Sequence, residues 1–321
     1  MPNPNWTEII TTTLESRNKE FADNVTNNNA LLARLNQKGN VRTVSGGNVI
    51  AEELEYAENS TFQFYTGYEV LDISPSDVFT AAEFPWKQGS VNVSASGLEV
   101  EVQNTGPEAV IPLLEKRIEN AKRTAANKMS ESVYSDGTGT SGKELTGLQA
   151  IVADDPTTGT VGGIDRSDST NVFWRNQTSG DVANIDTTAA TLRTEMQAMW
   201  LETKRGRDVV DLIATDQTLY SVFWDSLTDI QRIASEREAT AGFETLKYVT
   251  ADVIYDGDSG IAANHMYFLN TDYLYLRPHA RRNWVPMDKK SSVNQDAMIV
   301  PLVWAGNLTC SNAARQGIVY T

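Results

Sequence analysis

The strongest constraint in this sequence is one long apolar stripe. Leu114, Ile118, Ala121, Ala125, Met129 and Val133 recur at intervals of three or four, which puts them on one face of an α-helix. Glu115, Arg117, Glu119, Lys122 and Arg123 occupy much of the remaining surface. Pro107 suits a first helical turn, Pro112 is close enough to the start to be tolerated or to mark a kink, and Gly137 closes the pattern. The spacing predicts a helix within about residues 107–135, roughly 23 to 28 residues and 35 to 42 Å long. That is well above the mean helix length.

The periodicity ahead of this helix is different. Phe62 and Phe64, then Tyr68 and Val70, alternate with polar neighbours; Val91, Val93 and Ala95 alternate likewise, and Leu98, Val100 and Val102 resume after Gly97. Period two predicts strands with one covered face. Between these runs, residues 79–89 combine turn-forming residues with the large aromatics Phe79, Phe84 and Trp86. A long two-stranded excursion of this size is marginal in water unless it lies on another surface, so an intersubunit contact is expected here. Residues 1–40 are polar and rich in Asn and Thr; a thin stripe from Ile9 to Leu35 predicts a broken helix, an arm that docks on something else.

Beyond the long helix, residues 154–181 are loop-rich. A helix capped by Asp186 or Thr187 carries Ala189, Leu192, Met196, Met199 and Thr203 on one face and ends near Gly206. Residues 209–214 predict a buried strand, and residues 216–227 a helix capped by Thr215. The remainder predicts short strands at 248–251, 266–269, 273–276 and 298–304. The fold class is α+β, without an internal repeat.

Composition narrows the function. Apolar residues make up 40% and charged residues 21%, as in a soluble globular protein. No stretch approaches the roughly 18 consecutive apolar residues that span a bilayer, and the N-terminus lacks the pattern of a secretory signal. The 42 acidic residues against 27 basic give a net charge of −15, the wrong sign for a protein whose main task is gripping phosphates. The single cysteine, Cys310, excludes an internal disulfide and reads as a small buried core residue.

The motifs offer little chemistry. Gly137, Gly139 and Gly142 match a dinucleotide-binding spacing, and Lys143 follows as in a phosphate loop. Glu144 stands where such a loop needs Ser or Thr, and the glycines follow a helix where both motifs require a strand. They predict a flexible helix end. The two histidines, His265 and His279, fall in no metalloprotease pattern, and no nucleophile-elbow motif occurs. Asp252, Asp256 and Asp258 lack the spacing of a calcium loop and predict a turn. No catalytic residue, metal or cofactor is expected. Arg277, Arg281 and Arg282 form a basic cluster in an acidic chain. They would serve either as ion pairs within the fold or, slightly favoured, as partners for an acidic patch on a neighbouring subunit.

The order of these parts resembles the major capsid proteins of tailed bacteriophages with the Hong Kong 97-type fold, along nearly the whole chain. It carries a polar arm, a long β excursion, a long helix entered through Asn104, Thr105, Gly106 and Pro107, and a connection at residues 145–152. A helix, a buried strand, a helix and a β-rich tail with residues 266–269 follow. The resemblance implies an N-arm at 1–40, an extended E-loop at 41–104, and a P-domain at 105–180 that holds the spine helix. It also implies an A-domain at 181–273, P-domain strands at 274–305 and a final A-domain strand at 306–321. It makes the excursion a contact between subunits, with Phe84, Trp86, Lys87, Arg277, Arg281 and Arg282 as interface candidates.

It further implies a non-enzymatic shell subunit, assembling with many copies of itself as hexamers and pentamers around packaged double-stranded DNA. A portal and decoration proteins would be partners. Members that carry their own scaffold have a long extra N-terminal segment; the excursion here begins within about 45 residues of Met1, which implies a separate scaffolding protein. Some members link an E-loop lysine to a P-domain asparagine with a helping glutamate. Lys87 and Asn294 occupy suitable places, but no glutamate follows Glu244, so crosslinking is not expected. Two alternatives stay open: an encapsulin-like cellular compartment of the same fold, and a secreted adhesin or glycan-active protein. The second lacks a signal peptide and a carboxylate pair assignable as acid and base.

Overall fold

The computed structural model describes residues 29–96, 112–179, 189–227, 245–256, 260–287, 290–291 and 297–320. Its first element, α1 (Ala30–Gln37), is capped by Asn29, whose side-chain oxygen accepts from Leu32 N at 3.1 Å. Leu31, Leu32 and Leu35 are wholly buried. Arg34 pairs with Asp211 at 3.2 Å and Asp252 at 3.5 Å, and Lys38 with Asp211 at 3.0 Å and Asp272 at 2.7 Å. This part of the predicted arm therefore docks on its own chain; residues 1–28 lie outside the described residues.

The predicted long helix is α2 (Pro112–Tyr134), 23 residues that bury Ile118, Ala121, Ala125, Met129 and Val133 as the stripe requires. Pro112 is its first residue, where a missing N–H costs nothing. The helix lies along β3 (Lys87–Ser96), and Arg117 Nη1 donates to Ser94 O at 2.8 Å.

β3 belongs to a four-stranded sheet, which corrects the expectation that the 91–95 run would complete a two-stranded excursion. It pairs along its whole length with β13 (Ala297–Cys310), from Lys87↔Gly306 to Ser96↔Ala297. β13 also pairs with β11 (Leu274–Pro286) and β12 (Lys290–Ser291). The excursion proper is the antiparallel pair β1 (Ile50–Glu55) and β2 (Phe79–Phe84), in register from Ile50↔Phe84 to Glu55↔Phe79.

A second sheet has the order β6-β14-β10-β7-β9-β8. Its strands are β6 (Gln177–Thr178), β7 (Leu212–Thr215), β8 (Thr245–Tyr248), β9 (Ala251–Tyr255), β10 (His265–Leu269) and β14 (Gly317–Tyr320). Ile213, Val253, Met266, Phe268 and Val319 form a core with Leu192, Met196 and Met199 of α4 (Ala189–Thr203) and Leu219 and Phe223 of α5 (Gln217–Ser226). The cap of α5 is Asp216, not Thr215: its carboxylate accepts from Thr218 N and Leu219 N, the donors left unpaired at a helix start. The strand expected at 248–251 is instead the tight turn between β8 and β9, with Val249 at φ +51°.

Two short pieces complete the region before α4. α3 (Leu148–Ile151) ends on the buried Arg166, which donates through Nη1 to Ala150 O at 3.2 Å and through Nη2 to Ile151 O. Burial pushes the Arg166 guanidinium down to about 10. The small hairpin β4 (Thr160–Val161) and β5 (Ile164–Asp165) turns through Gly162 and Gly163. The glycine-rich segment after α2 forms a left-handed turn, with Thr140, Ser141 and Gly142 at φ +52°, +59° and +75° and Gly142 N donating to Thr138 O at 2.9 Å. No strand leads into it, so the phosphate-binding geometry is missing.

Candidate assembly surface

The excursion has a fixed base and an uncovered tip. At the base, alternation turns Ile50, Glu52 and Leu54 of β1 and Ala82 and Phe84 of β2 inward. The inward Glu52 is buried, and it accepts two hydrogen bonds from Arg277, Nε at 2.6 Å and Nη2 at 2.7 Å, and a third from Thr309 Oγ1 at 2.7 Å. A buried carboxylate is tolerable only with such pairing. The hairpin β4–β5 grips the other side, Glu83 N donating to Gly162 O at 2.7 Å. Trp174 Nε1 in turn holds Val161 O at 2.9 Å, and Tyr56 packs on Phe173 with ring centroids 5.2 Å apart. Arg205 pairs with Glu58 at 3.2 Å.

The tip, residues 56–78, forms no strand. Asn59 and Asp72 close local turns on Thr61 and Ser74, Glu69 accepts from Thr66 N, and Gln63 Nε2 reaches Val70 O at 3.2 Å. The predicted alternation of Phe62, Phe64, Tyr68 and Val70 is present, but those side chains are 77%, 92%, 106% and 92% exposed. Strand pairing needs a second strand, and no described residue supplies one. Of the fourteen exposed large hydrophobics among the described residues, eight lie between Phe62 and Phe79, so the exposure is one patch and not a scatter. Burying each would stabilise a contact by about 1.5–3 kcal/mol before ordering costs.

The six interface candidates separate into three groups. In the first, Phe84 is wholly buried in the chain's own core, and Arg277 directs its guanidinium to Glu52 and the Tyr275 ring, whose centroid is 4.6 Å away. Alternation in a covered strand, not a turn, governs the Phe84 ring. Trp86 and Lys87 are half-buried; Trp86 Nε1 donates to Gly47 O at 2.9 Å and its ring meets His279 edge-on, while Lys87 Nζ donates to Gly142 O. Arg281 and Arg282 are exposed at the irregularity in β11 between Pro278 and Asn283, and Arg282 Nη1 reaches Gln88 Oε1 at 3.4 Å. Asn294 lies outside the described residues.

Sequence reasoning missed Tyr65, Leu71 and Ile73 of the tip, and Glu52 and Gly162 of its base. Leu71 and Ile73 are spaced by two but fall out of step with Phe62, Phe64, Tyr68 and Val70, as does Tyr65. For Glu52 and Gly162, whose partners are remote in sequence, no local signal existed. Among the described residues no group of His, Cys, Asp and Glu is arranged to hold a metal, and no helix is long and apolar enough to cross a membrane.

No family model and no curated protein matches this chain. Solved structures do. The cyanophage A-1(L) capsid subunit superposes with a TM-score of 0.59 at 16% identity, covering 87% of this chain and 89% of that one. The capsid of Myoviridae phage XM1 gives 0.52 at 11% identity, covering 89% and 91%. The capsid of a native GTA particle gives 0.52 at 10%, covering 89% of each. Across nearly nine-tenths of its length, the chain shares the overall fold of these phage capsid structures, the Hong Kong 97-type fold.

Proposed function

We propose that this chain is the major capsid protein of a tailed bacteriophage, a non-enzymatic subunit that assembles with itself into an icosahedral shell around packaged double-stranded DNA. The observation that carries this reading is the excursion: its base is anchored by Glu52, Phe84 and the 160–165 hairpin, while its tip holds out seven large apolar side chains. Such a patch marks an interaction site, and in a closed shell every copy both offers and receives the same contact. The fold supports the reading, because the solved structures it matches are capsids of phages and of GTA particles. A separate scaffolding protein, a portal and decoration proteins would be the further partners, with assembly in the host cytoplasm and residence in the virion.

Negative-stain electron microscopy of the purified chain, expressed with and without its neighbouring genes, tests this. Closed shells or tubes tens of nanometres across are expected. A small uniform monomer under every condition would overturn the reading. Shells that package a cellular protein in place of DNA would move it to the encapsulin-like alternative.

A further inference from the structure

The excursion joins the four-stranded sheet at a corner, residues 85–87, and each of these three residues is tied to a different segment. Asn307 Nδ2 donates to Pro85 O at 2.9 Å, Trp86 Nε1 donates to Gly47 O at 2.9 Å, and Lys87 Nζ donates to Gly142 O. Gly47 belongs to the leg that enters the excursion, and Gly142 to the turn that follows α2. The first tie differs from the other two in being made by a fully buried side chain.

The ladder explains why an amide is needed there. β3 and β13 stay paired as far as Lys87↔Gly306, and Asn307 is the next residue of β13. β13 runs on beside β11 to Cys310, while β3 ends and its chain turns off through Trp86 and Pro85 into β2. Pro85 O has no ladder partner at this point of departure, and the Asn307 side chain supplies the donor. The second Nδ2 proton goes to Thr146 Oγ1 at 3.0 Å, and Oδ1 accepts from Thr146 N at 2.9 Å and Leu308 N at 3.0 Å. The whole hydrogen-bonding capacity of the amide is in use. Its neighbours are equally fixed. A Cβ at Gly306 would stand 2.6 Å from Arg277 O and 2.8 Å from the Trp304 ring, and one at Gly147 would collide with Ser132 O and Ser135 O at the end of α2. Asn307 thus joins the β11–β13 ladder to the connection that follows α2, and holds the corner of the excursion against both.

We infer that Asn307 is a positioning residue for assembly: through its bond to Pro85 O, the amide sets the direction in which the excursion leaves the body of the subunit. The consequence for assembly rests on the self-assembly reading above; the positioning itself does not. A contact repeated around a closed shell closes only when every copy presents it at one angle, so a loosened corner lowers particle yield even when each subunit is folded.

Spin labels at Glu55→Cys, on the far end of β1, and at Ser221→Cys, on α5, report that angle as a distance distribution in the isolated subunit; both sites are exposed and the native Cys310 is buried. Asn307→Asp keeps the shape and the Oδ1 acceptor but sets a carboxylate oxygen against Pro85 O. Asn307→Ser is uncharged and too short to reach Pro85 O, and it decides the matter if circular dichroism shows that the carboxylate unfolds the subunit. Thr146→Val removes one acceptor from the amide and leaves the Pro85 bond in place. Wild type and Thr146→Val are expected to give one narrow distribution, and the folded Asn307 variants one that is displaced or about twofold broader, with particle yield down about tenfold. If the Asn307 variants match wild type, if Thr146→Val broadens as much as they do, or if neither Asn307 variant folds, the residue is core packing alone and the inference is overturned. Altered distances with undiminished yield would overturn its role in assembly. If wild type itself never assembles, the self-assembly reading falls, while the distances still decide whether Asn307 directs the excursion.

Discussion

Glu52 and Arg277, 225 residues apart in sequence, face each other with two hydrogen bonds of 2.6 and 2.7 Å and join the base of the excursion to β11. The side chains are 7% and 17% exposed, and Thr309 Oγ1 occupies a further lone pair of the carboxylate. Removing one partner leaves the other charge buried without compensation, which costs about 3–5 kcal/mol in comparable pairs. Glu52→Ala or Arg277→Ala is therefore expected to lower the unfolding free energy of the subunit by roughly that amount. The double variant should lose less than the sum of the two. Urea denaturation of all four proteins measures the coupling directly; additive losses would show that the pair does not act as a unit.

How much of this was legible in the sequence depends on whether a signal is local. The stripe from Ile118 to Val133 is complete within one helix, so α2 is readable from spacing alone. The alternation at Val91 and Val93 identifies a strand, but nothing local says that its partner begins at Ala297. Phe62 and Phe64 carry the same alternation and form no strand, because pairing is a property of two segments and no described segment pairs with these residues. Phe84 stands among turn-forming neighbours, yet its two-residue spacing from the buried Ala82 puts its ring on the covered face of β2. The Glu52–Arg277 pair is a tertiary fact without a sequence signature.

Gly162 packs closely against the base of the excursion. Its φ is +59°, and a Cβ there would stand 2.9 Å from Ala82 Cβ and 3.2 Å from the Phe84 ring. Gly162→Ala is thus both conformationally strained and overpacked, an expected loss of about 1–3 kcal/mol. Because Glu83 N hydrogen-bonds to Gly162 O, the damage should fall on β2. Hydrogen exchange of the isolated subunit checks this: faster exchange is expected at residues 79–84, with α2 and the second sheet unchanged. Uniform acceleration would mean that the hairpin supports the whole fold and not the excursion.

Phe84 and Trp86, two residues apart, should behave differently. Phe84→Ser empties a wholly enclosed site and buries a hydroxyl there, for an expected cost of more than about 3 kcal/mol. Trp86→Ser removes a half-buried ring and its bond to Gly47 O, for about 1–2 kcal/mol. Serine at Phe64, Tyr68 or Ile73, all more than nine-tenths exposed, should change subunit stability by less than about 0.5 kcal/mol while reducing assembly. Paired measurements of thermal midpoint and particle yield separate the three classes. A tip variant that unfolds the isolated subunit would contradict the described packing.

Cys310 is completely buried at the end of β13, and burial pushes its thiol up to about 12. A thiol held protonated is a poor nucleophile, so a disulfide-exchange reagent at pH 8 should leave the native subunit unmodified and label one thiol per chain after denaturation. The sign of the pH dependence follows from linkage. The folded value exceeds the unfolded one of about 8.5, so the stabilisation is complete below that pH and is lost as pH rises toward 12. Cys310→Ala is expected to flatten this alkaline decline while lowering stability at pH 7 through the cavity it leaves. Urea midpoints of both proteins between pH 7 and about 10.5 measure the difference; equal slopes would show that other groups govern the alkaline limb.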